Sequence, residues 1–198
     1  RHEYDAILIG INTALSDDPL LTDRSGLPRH RLLTRVVLDA GLRLPPKSQL
    51  VQTAREYPLL VFTGNQEILD SMGFPIYAEW GNTLEERKAV LQDLGVNVVQ
   101  VPVDGAQLDL PQALREMAKL SLTSVLVEGG ASVGASVIEQ RLVDKITFFF
   151  APKIIGGLEA KSAIEGEGVA HLSEAMALRD LQVVPRGSDL EITGYPAS

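Results

Sequence analysis

Short apolar segments recur along the chain and are separated by segments with helical periodicity. Several of the apolar segments lack polar alternation, which is typical of strands buried on both faces of a sheet. The predicted strands cover residues 6–11, 34–39, 58–64, 97–102, 123–128 and 144–152. Two further predicted strands, 181–186 and 189–195, close the chain and indicate a hairpin around the sequence RGSD.

Helical segments lie between these strands, and the pattern predicts them over residues 66–72, 84–94, 111–120 and 131–141. Thr83 followed by Glu86 is the sequence signature of a capping box, and Pro111 after Asp109 suits the start of the next helix. Alternating strands and helices predict an α/β fold with a mostly parallel central sheet, helices on both faces and an antiparallel C-terminal hairpin. Residues 1–198 are expected to form a single domain.

The composition narrows the classes of function. The net charge is −8, which disfavours binding to the phosphates of nucleic acids. The chain has no cysteine, so disulfides, thiolate nucleophiles and thiolate metal sites are excluded. No run of eighteen apolar residues is present, so no membrane span is expected, and a cytoplasmic setting fits this composition.

Two adjacent glycines, Gly129 and Gly130, follow the predicted strand 123–128 and precede the helix 131–141; they form the glycine corner. Ligands of open α/β sheets bind at the carboxyl ends of the strands, and free N–H groups at a helix N-terminus attract phosphate. The spacing matches neither of the familiar glycine-rich nucleotide motifs. A phosphate site and a tight turn that needs glycine for a positive φ angle are therefore both open interpretations.

Glu128 precedes the glycine corner, at the point where the predicted strand reaches the surface. Its carboxylate suits a ligand hydroxyl or amine, and it equally suits a helix cap or a salt bridge. The segment Gly10–Arg24 also follows a strand. Asp17 and Asp18 before a proline indicate either an acid–base pair or an Asp-Pro turn, and the turn is favoured. Arg24 is either a phosphate clamp or a solvated surface residue.

A third polar group follows the strand 34–39. Asp39 ends this strand, and Arg43 stands four residues further on. An acid at such a position suits a ribose hydroxyl, and an arginine suits a 2′-phosphate.

Four segments together resemble a known family: AILIGINTALSDDPLLTDR, RVVLDAGLRLP, VLVEGGASVGAS and LVDKITFFFAPKIIGG. In this order and spacing they resemble the pyrimidine reductase domain of riboflavin biosynthesis, which has a dihydrofolate-reductase-like fold. The resemblance implies reduction of the ribosyl group of 5-amino-6-(5-phosphoribosylamino)uracil by NADPH. It further implies a homodimer whose small-molecule partner is this phosphorylated ribosylaminopyrimidine, with no nucleic acid and no membrane.

The resemblance also implies site residues. Those that match cofactor-binding positions are Thr13, Asp17, Gly130, Ala131, Ser132, Val133, Gly134, Ala135 and Ser136. Those that match substrate-binding positions are Arg1, Leu21, Arg24 and Glu128, with Arg24 expected to meet the substrate phosphate. No metal site is implied, and no catalytic residue is assigned.

The chain departs from the family pattern at two places. Ala40 stands where the family often has a serine that meets the cofactor. The family domain normally begins upstream of Arg1, so this chain is expected to lack the N-terminal strand and helix. Two alternatives stay open: a reductase of the same fold with another pyrimidine or pterin-like substrate, and a nucleotide-binding module without catalysis.

Overall fold

The computed structural model describes residues 1–67, 80–105, 107–157, 160 and 162–197. The chain divides into two compact units, residues 1–133 and residues 134–198. No helix in these described residues is long and apolar enough to cross a membrane.

The first unit is built on a parallel sheet of five strands, namely β1 (Ala6–Gly10), β2 (Thr34–Leu38), β3 (Leu59–Thr63), β4 (Asn97–Gln100) and β7 (Val125–Val127). Their order across the sheet is β4-β3-β2-β1-β7. Each lies within a predicted strand, so the parallel sheet is confirmed. A short antiparallel pair, β5 (Val103–Asp104) and β6 (Gln107–Leu108), was not predicted.

Five helices are described: α1 (Ile11–Asp17), α2 (Gln49–Gln52), α3 (Leu84–Asp93), α4 (Leu110–Lys119) and α5 (Ala131–Glu139). The last three confirm predictions. The helix predicted over 66–72 lies mostly outside the described residues. The prediction was wrong in extending β1 to Ile11, because α1 begins directly after Gly10, and it missed α2 altogether.

The caps explain where two of the helices begin. Thr83 Oγ1 accepts a hydrogen bond from Glu86 N at 3.2 Å, and Glu86 Oε2 accepts one from Thr83 N at 3.1 Å. This is the predicted capping box. Asp109 caps α4 by accepting a hydrogen bond from Gln112 N at 2.7 Å, and Pro111 stands at the second helical position, where a missing N–H costs nothing.

Apolar side chains cover both faces of the parallel sheet. Successive residues of a strand point to opposite faces, and the core divides accordingly into two clusters. One contains Ile7 and Ile9 of β1 together with residues of α2 and α3. The other contains Ala6 and Leu8 of β1 together with Met117 of α4. The prediction of helices on both faces is therefore confirmed, and it explains why the strands are apolar throughout.

The second unit contains an antiparallel sheet in the order β8-β10-β9, formed by β8 (Ile146–Phe150), β9 (Leu178–Arg186) and β10 (Asp189–Pro196). β9 and β10 form the predicted C-terminal hairpin, and β9 begins three residues before its predicted start. The ladder is irregular between Thr193 and Tyr195. A short 3₁₀ helix, Leu172–Glu174, precedes the hairpin.

Candidate functional site

The glycine corner lies at the carboxyl ends of β1 and β7, which are neighbours in the sheet. Gly129 and Gly130 have φ angles of +63° and +80°, a conformation that glycine adopts readily and other residues rarely do. A Cβ atom on Gly130 would lie 3.1 Å from Thr13 Oγ1. The tight-turn interpretation is therefore confirmed. The same turn leaves exposed, bare backbone at the start of α5, opposite Thr13, and such backbone is what a phosphate group needs.

The remaining residues that match cofactor-binding positions lie on α5 and are Ala131, Ser132, Val133, Gly134, Ala135 and Ser136. Ser132 is exposed in the first turn of the helix. Val133 approaches β1 so closely that a Cβ atom on Gly10 would lie 2.8 Å from its Cγ2 atom. Ala135 is buried, so its side chain is not presented to a ligand.

Glu128 forms an ion pair with Arg1. Arg1 Nε donates to Glu128 Oε1 at 2.9 Å, and Arg1 Nη2 donates to Glu128 Oε2 at 2.6 Å. The third nitrogen of this guanidinium, Nη1, donates to the carbonyl oxygen of Thr22 at 3.2 Å. The hydrogen bond with Glu128 raises the pKa of the Arg1 guanidinium. Of the two interpretations of Glu128, the salt bridge is confirmed, and a ligand contact stays a prediction.

Asp23 lies beside this pair and is the centre of a second set of contacts. Its carboxylate pairs with His2 Nδ1 at 2.9 Å and with Arg29 Nη1 at 3.3 Å, and it accepts a hydrogen bond from Ser25 N at 3.0 Å. These contacts, of which the one from the Ser25 N–H is the largest, hold the pKa of the Asp23 carboxyl well below its usual range. We call Arg1, His2, Asp23, Arg29 and Glu128 the charged cluster.

Sequence reasoning missed three members of the charged cluster, namely His2, Asp23 and Arg29. The pairing of Asp23 with Ser25 N is an Asx turn, which the sequence DRSG allows. The contacts with residues near the start of the chain depend on tertiary structure. Arg24, next to Asp23, is exposed and forms no hydrogen bond or ion pair with any residue that the structure describes. Its charge is therefore open to a ligand.

Asp17 and Asp18 occupy the end of α1 and have separate environments. Asp17 is exposed and accepts a hydrogen bond from Ser16 Oγ at 2.8 Å. Asp18 is the C-cap residue of α1 and has a φ angle of +38°, and its Oδ1 atom accepts a hydrogen bond from Gln49 N, in the first turn of α2, at 2.9 Å. The Asp-Pro turn stays a prediction, and the separate contacts of the two carboxylates do not support an acid–base pair. Thr13 and Asp17 are one turn apart on α1, so they lie on one face of the helix.

Leu21 differs from the other residues that match substrate-binding positions. Its side chain is buried in the core of the first unit, and its φ angle is +54°. A contact between Leu21 and a ligand would therefore come from its backbone. Arg35 of β2 supports this backbone by donating to the carbonyl oxygen of Leu20 at 3.3 Å.

Asp39 does not fit its predicted role at a ribose hydroxyl, because its side chain is fully buried. Asp39 Oδ2 accepts a hydrogen bond from Leu44 N at 2.8 Å, and so stabilises the turn after β2. Burial is the main reason that the pKa of the Asp39 carboxyl rises to about 6. Arg43 reaches α1 instead, where its Nη2 atom donates to Asn12 Oδ1 at 3.2 Å.

Residues 1–192 match the family model of the RibD C-terminal domain. The chain belongs to this family. It is 32% identical over 179 residues to the riboflavin biosynthesis protein RibD of Actinobacillus pleuropneumoniae, an alignment that covers 90% of this chain and 43% of that protein. The chain thus spans less than half the length of this relative.

A shorter relative matches over most of its length. The chain is 30% identical over 192 residues to a 2,5-diamino-6-ribosylamino-4(3H)-pyrimidinone 5′-phosphate reductase of Methanothermobacter thermautotrophicus, which covers 96% of this chain and 79% of that protein. These matches confirm the family resemblance stated from the sequence.

Solved structures share the fold. Acinetobacter baumannii RibD has a TM-score of 0.73 at 20% identity and covers 98% of this chain and 47% of its own. The riboflavin biosynthesis reductase Rib7 of Saccharomyces cerevisiae has a TM-score of 0.71 at 16% identity and covers 100% of this chain and 77% of its own. At these identities the likeness establishes the fold.

Proposed function

We propose that this chain is an NADPH-dependent pyrimidine reductase of riboflavin biosynthesis. It would convert the ribosyl group of 5-amino-6-(5-phosphoribosylamino)uracil into a ribityl group. The observation that supports this proposal is that Glu128, whose carboxylate is paired with Arg1, directly precedes the exposed backbone of the glycine corner. Arg24, whose side chain is exposed, follows Asp23 of the charged cluster in the chain.

The glycine corner fits the phosphates of a dinucleotide. A side chain on Gly130 would fill the space next to Thr13, and the N–H groups at the start of α5 attract an anion. We assign Thr13, Asp17 and residues 130–136 to cofactor binding. When bound, NADPH supplies a hydride to C1′ of the sugar. The protein contributes binding and orientation, because the cofactor carries the redox chemistry.

Arg24 and Glu128 fit the two ends of the sugar phosphate. Arg24 is exposed, and a guanidinium binds phosphate oxygens with two parallel hydrogen bonds. Glu128 is held by Arg1 and retains acceptor capacity for a hydroxyl or amine of the substrate. Because Glu128 directly precedes the glycine corner, a substrate at Glu128 lies next to a cofactor at Gly130. Hydride transfer requires in addition that the nicotinamide ring of this cofactor reach C1′ of the sugar.

The name of the relative from Methanothermobacter thermautotrophicus indicates a second candidate substrate. That protein is named for a 2,5-diamino-4(3H)-pyrimidinone, which differs from the uracil compound in carrying an amino group at C2. Both substrates present the same ribosyl phosphate to Arg24 and Glu128. The proposed roles of Arg24 and Glu128 are therefore the same for both substrates. A turnover assay distinguishes the two substrates.

The test is turnover of the purified chain with NADPH and each of the two pyrimidines. We expect oxidation of NADPH, followed by its absorbance, and a product that mass spectrometry shows to have gained two hydrogen atoms. The pyrimidine with the higher kcat/KM is the substrate. If NADPH binds but neither pyrimidine is reduced, the chain is a binding module and the proposal is wrong.

A further inference from the structure

We propose that Arg29 is a positioning residue that holds the substrate-binding residues in place, an inference that rests on the proposed function. Its two terminal nitrogens donate to the carbonyl oxygens of Arg1 at 3.0 Å, His2 at 2.7 Å and Tyr4 at 2.5 Å. Nη1 also pairs with Asp23 Oδ2 at 3.3 Å. Only 15% of the Arg29 side chain is exposed, so these bonds are shielded from water.

These contacts join two segments of the chain. One is the segment 1–4, and the other is the loop that contains Asp23 and Arg24. Asp23 links the same segments a second time through His2 Nδ1, at 2.9 Å. Arg29 and Asp23 together therefore fix the loop against the first residues of the structure.

The joined segments carry the groups that are proposed to bind substrate. Arg1 uses its Nε and Nη2 atoms on Glu128, and its Nη1 atom on the carbonyl of Thr22. It can reach both partners only if its own backbone is correctly placed. Arg29 fixes that backbone directly, because it donates to the Arg1 carbonyl oxygen.

An arginine is needed for this task because its donors are spread over a rigid planar fork. A lysine at this position would keep the charge but concentrate its donors at one atom. It could not serve the carbonyl oxygens of His2 and Tyr4 and the Asp23 carboxylate at once. Such partly buried groups are costly when they lose their hydrogen bonds.

Loss of Arg29 should therefore affect the substrate and spare the cofactor. The glycine corner packs against Thr13, on α1, and its geometry is set by backbone conformation. We expect Arg29→Ala to raise the KM for the pyrimidine about tenfold, which corresponds to about 1.4 kcal/mol. The Kd for NADPH, measured by calorimetry, should stay within about twofold of the parent.

Arg31 supplies a matched control. It is also an arginine on the same loop, and it donates to the carbonyl oxygens of Leu120 and Ser121, both at 2.8 Å. These side-chain bonds lie at the end of α4. The carbonyl oxygen of Arg31 accepts a hydrogen bond from Arg29 Nε at 3.0 Å, and an alanine at position 31 keeps that carbonyl. Arg31→Ala should leave the KM for the pyrimidine unchanged, even where it lowers the melting temperature.

A double-mutant cycle separates positioning from general destabilisation. If Arg29 acts through the Arg1–Glu128 pair, then Arg29→Ala combined with Glu128→Gln should raise KM about as much as Glu128→Gln alone. If the two substitutions acted independently, their effects on KM would multiply. Arg29→Lys should give a KM between those of the parent and Arg29→Ala, because it keeps the charge but not the fork.

The outcomes separate the inference from the function on which it rests. A parent that neither binds nor reduces either pyrimidine overturns both. An active parent with an unchanged KM in Arg29→Ala, or multiplicative effects in the cycle, overturns the inference alone. If Arg29→Ala does not fold, Arg29→Gln and Arg29→Lys decide, and a parent-like KM in both contradicts the positioning role.

Discussion

The glycine corner and the charged cluster are adjacent at Glu128, but they are built in opposite ways. The corner consists of exposed backbone from which side chains are missing, and its positive φ angles exclude most residues. The cluster consists of charged and polar side chains that pair with one another, and Arg29 has the largest number of partners. The corner should therefore be sensitive to added atoms, and the cluster to lost charges.

We expect the largest effect from a substitution that disrupts the glycine corner. Gly130→Val places a β-branched residue at a φ angle of +80°, which costs about 1–3 kcal/mol, and it blocks the approach of a phosphate to the backbone. The affinity for NADPH should fall on the order of 1,000-fold, equivalent to about 4 kcal/mol. Calorimetric titration measures this change.

The control for this variant is Gly187→Val in the C-terminal hairpin, where φ is +64° and a Cβ atom would meet nothing within 4 Å. It introduces similar backbone strain in the second unit. It should lower the melting temperature and leave NADPH binding intact. Binding of NADPH by Gly130→Val with the affinity of the parent would remove the glycine corner from the cofactor site.

The buried carboxyl group of Asp39 extends the comparison. Its contribution to stability changes with pH in the opposite direction to that of Asp23. The native pKa of Asp39 is about 6 and its ordinary value is 3.8, so the native state binds this proton more tightly than the unfolded state. The resulting stabilisation is complete below about pH 4 and is lost as the pH rises through about 6. For Asp23, whose native pKa is depressed, stabilisation is lost as the pH falls.

Asp39→Asn should remove the loss of stability that the parent shows as the pH rises through about 6. Urea unfolding of parent and variant between pH 4 and pH 7 measures it, and the variant should gain up to about 3 kcal/mol relative to the parent across that range. NADPH affinity and the KM for the pyrimidine should not change, since Asp39 is buried in the fold. A difference that is independent of pH would show that Asp39 keeps an ordinary pKa.

We expect the smallest effect from a substitution in the charged cluster. Glu128→Gln removes the charge that pairs with Arg1, while preserving the shape of the side chain. Because 35% of the Glu128 side chain is exposed, solvent screens the pair. The KM for the pyrimidine should rise about tenfold, and the Kd for NADPH should stay close to that of the parent.

Glu116→Gln is the matched control for this variant, since Glu116 pairs with Lys119 at 2.7 Å on α4. It should leave both constants unchanged. If Glu128→Gln weakened NADPH binding as strongly as Gly130→Val does, the corner and the cluster would not be separate subsites.

The sequence was most informative where the structural signal is local. The strands are apolar throughout because both faces of the sheet are covered, and the capping box of Thr83 and Glu86 needs only four consecutive residues. Helix α1 was missed because it has seven residues, of which only Ala14 is buried. A helix with one buried residue produces almost no apolar periodicity.

Contacts between distant residues could not be predicted from the sequence. Arg1 and Glu128 are 127 positions apart, and no local pattern indicates that they pair. The burial of Asp39 depends in the same way on the elements packed around the turn after β2. The position of the glycine corner was nevertheless predictable, because a strand, two glycines and a helix follow one another directly in the chain.

The most direct test of the proposed reductase activity is to follow the hydride. The purified chain would be given NADPH deuterated at both C4 positions of the nicotinamide together with the preferred pyrimidine, and the product analysed by mass spectrometry and NMR. We expect one deuterium at C1′ of a ribityl product. Oxidation of NADPH without deuterium at C1′, or binding without any oxidation, would contradict the proposed activity.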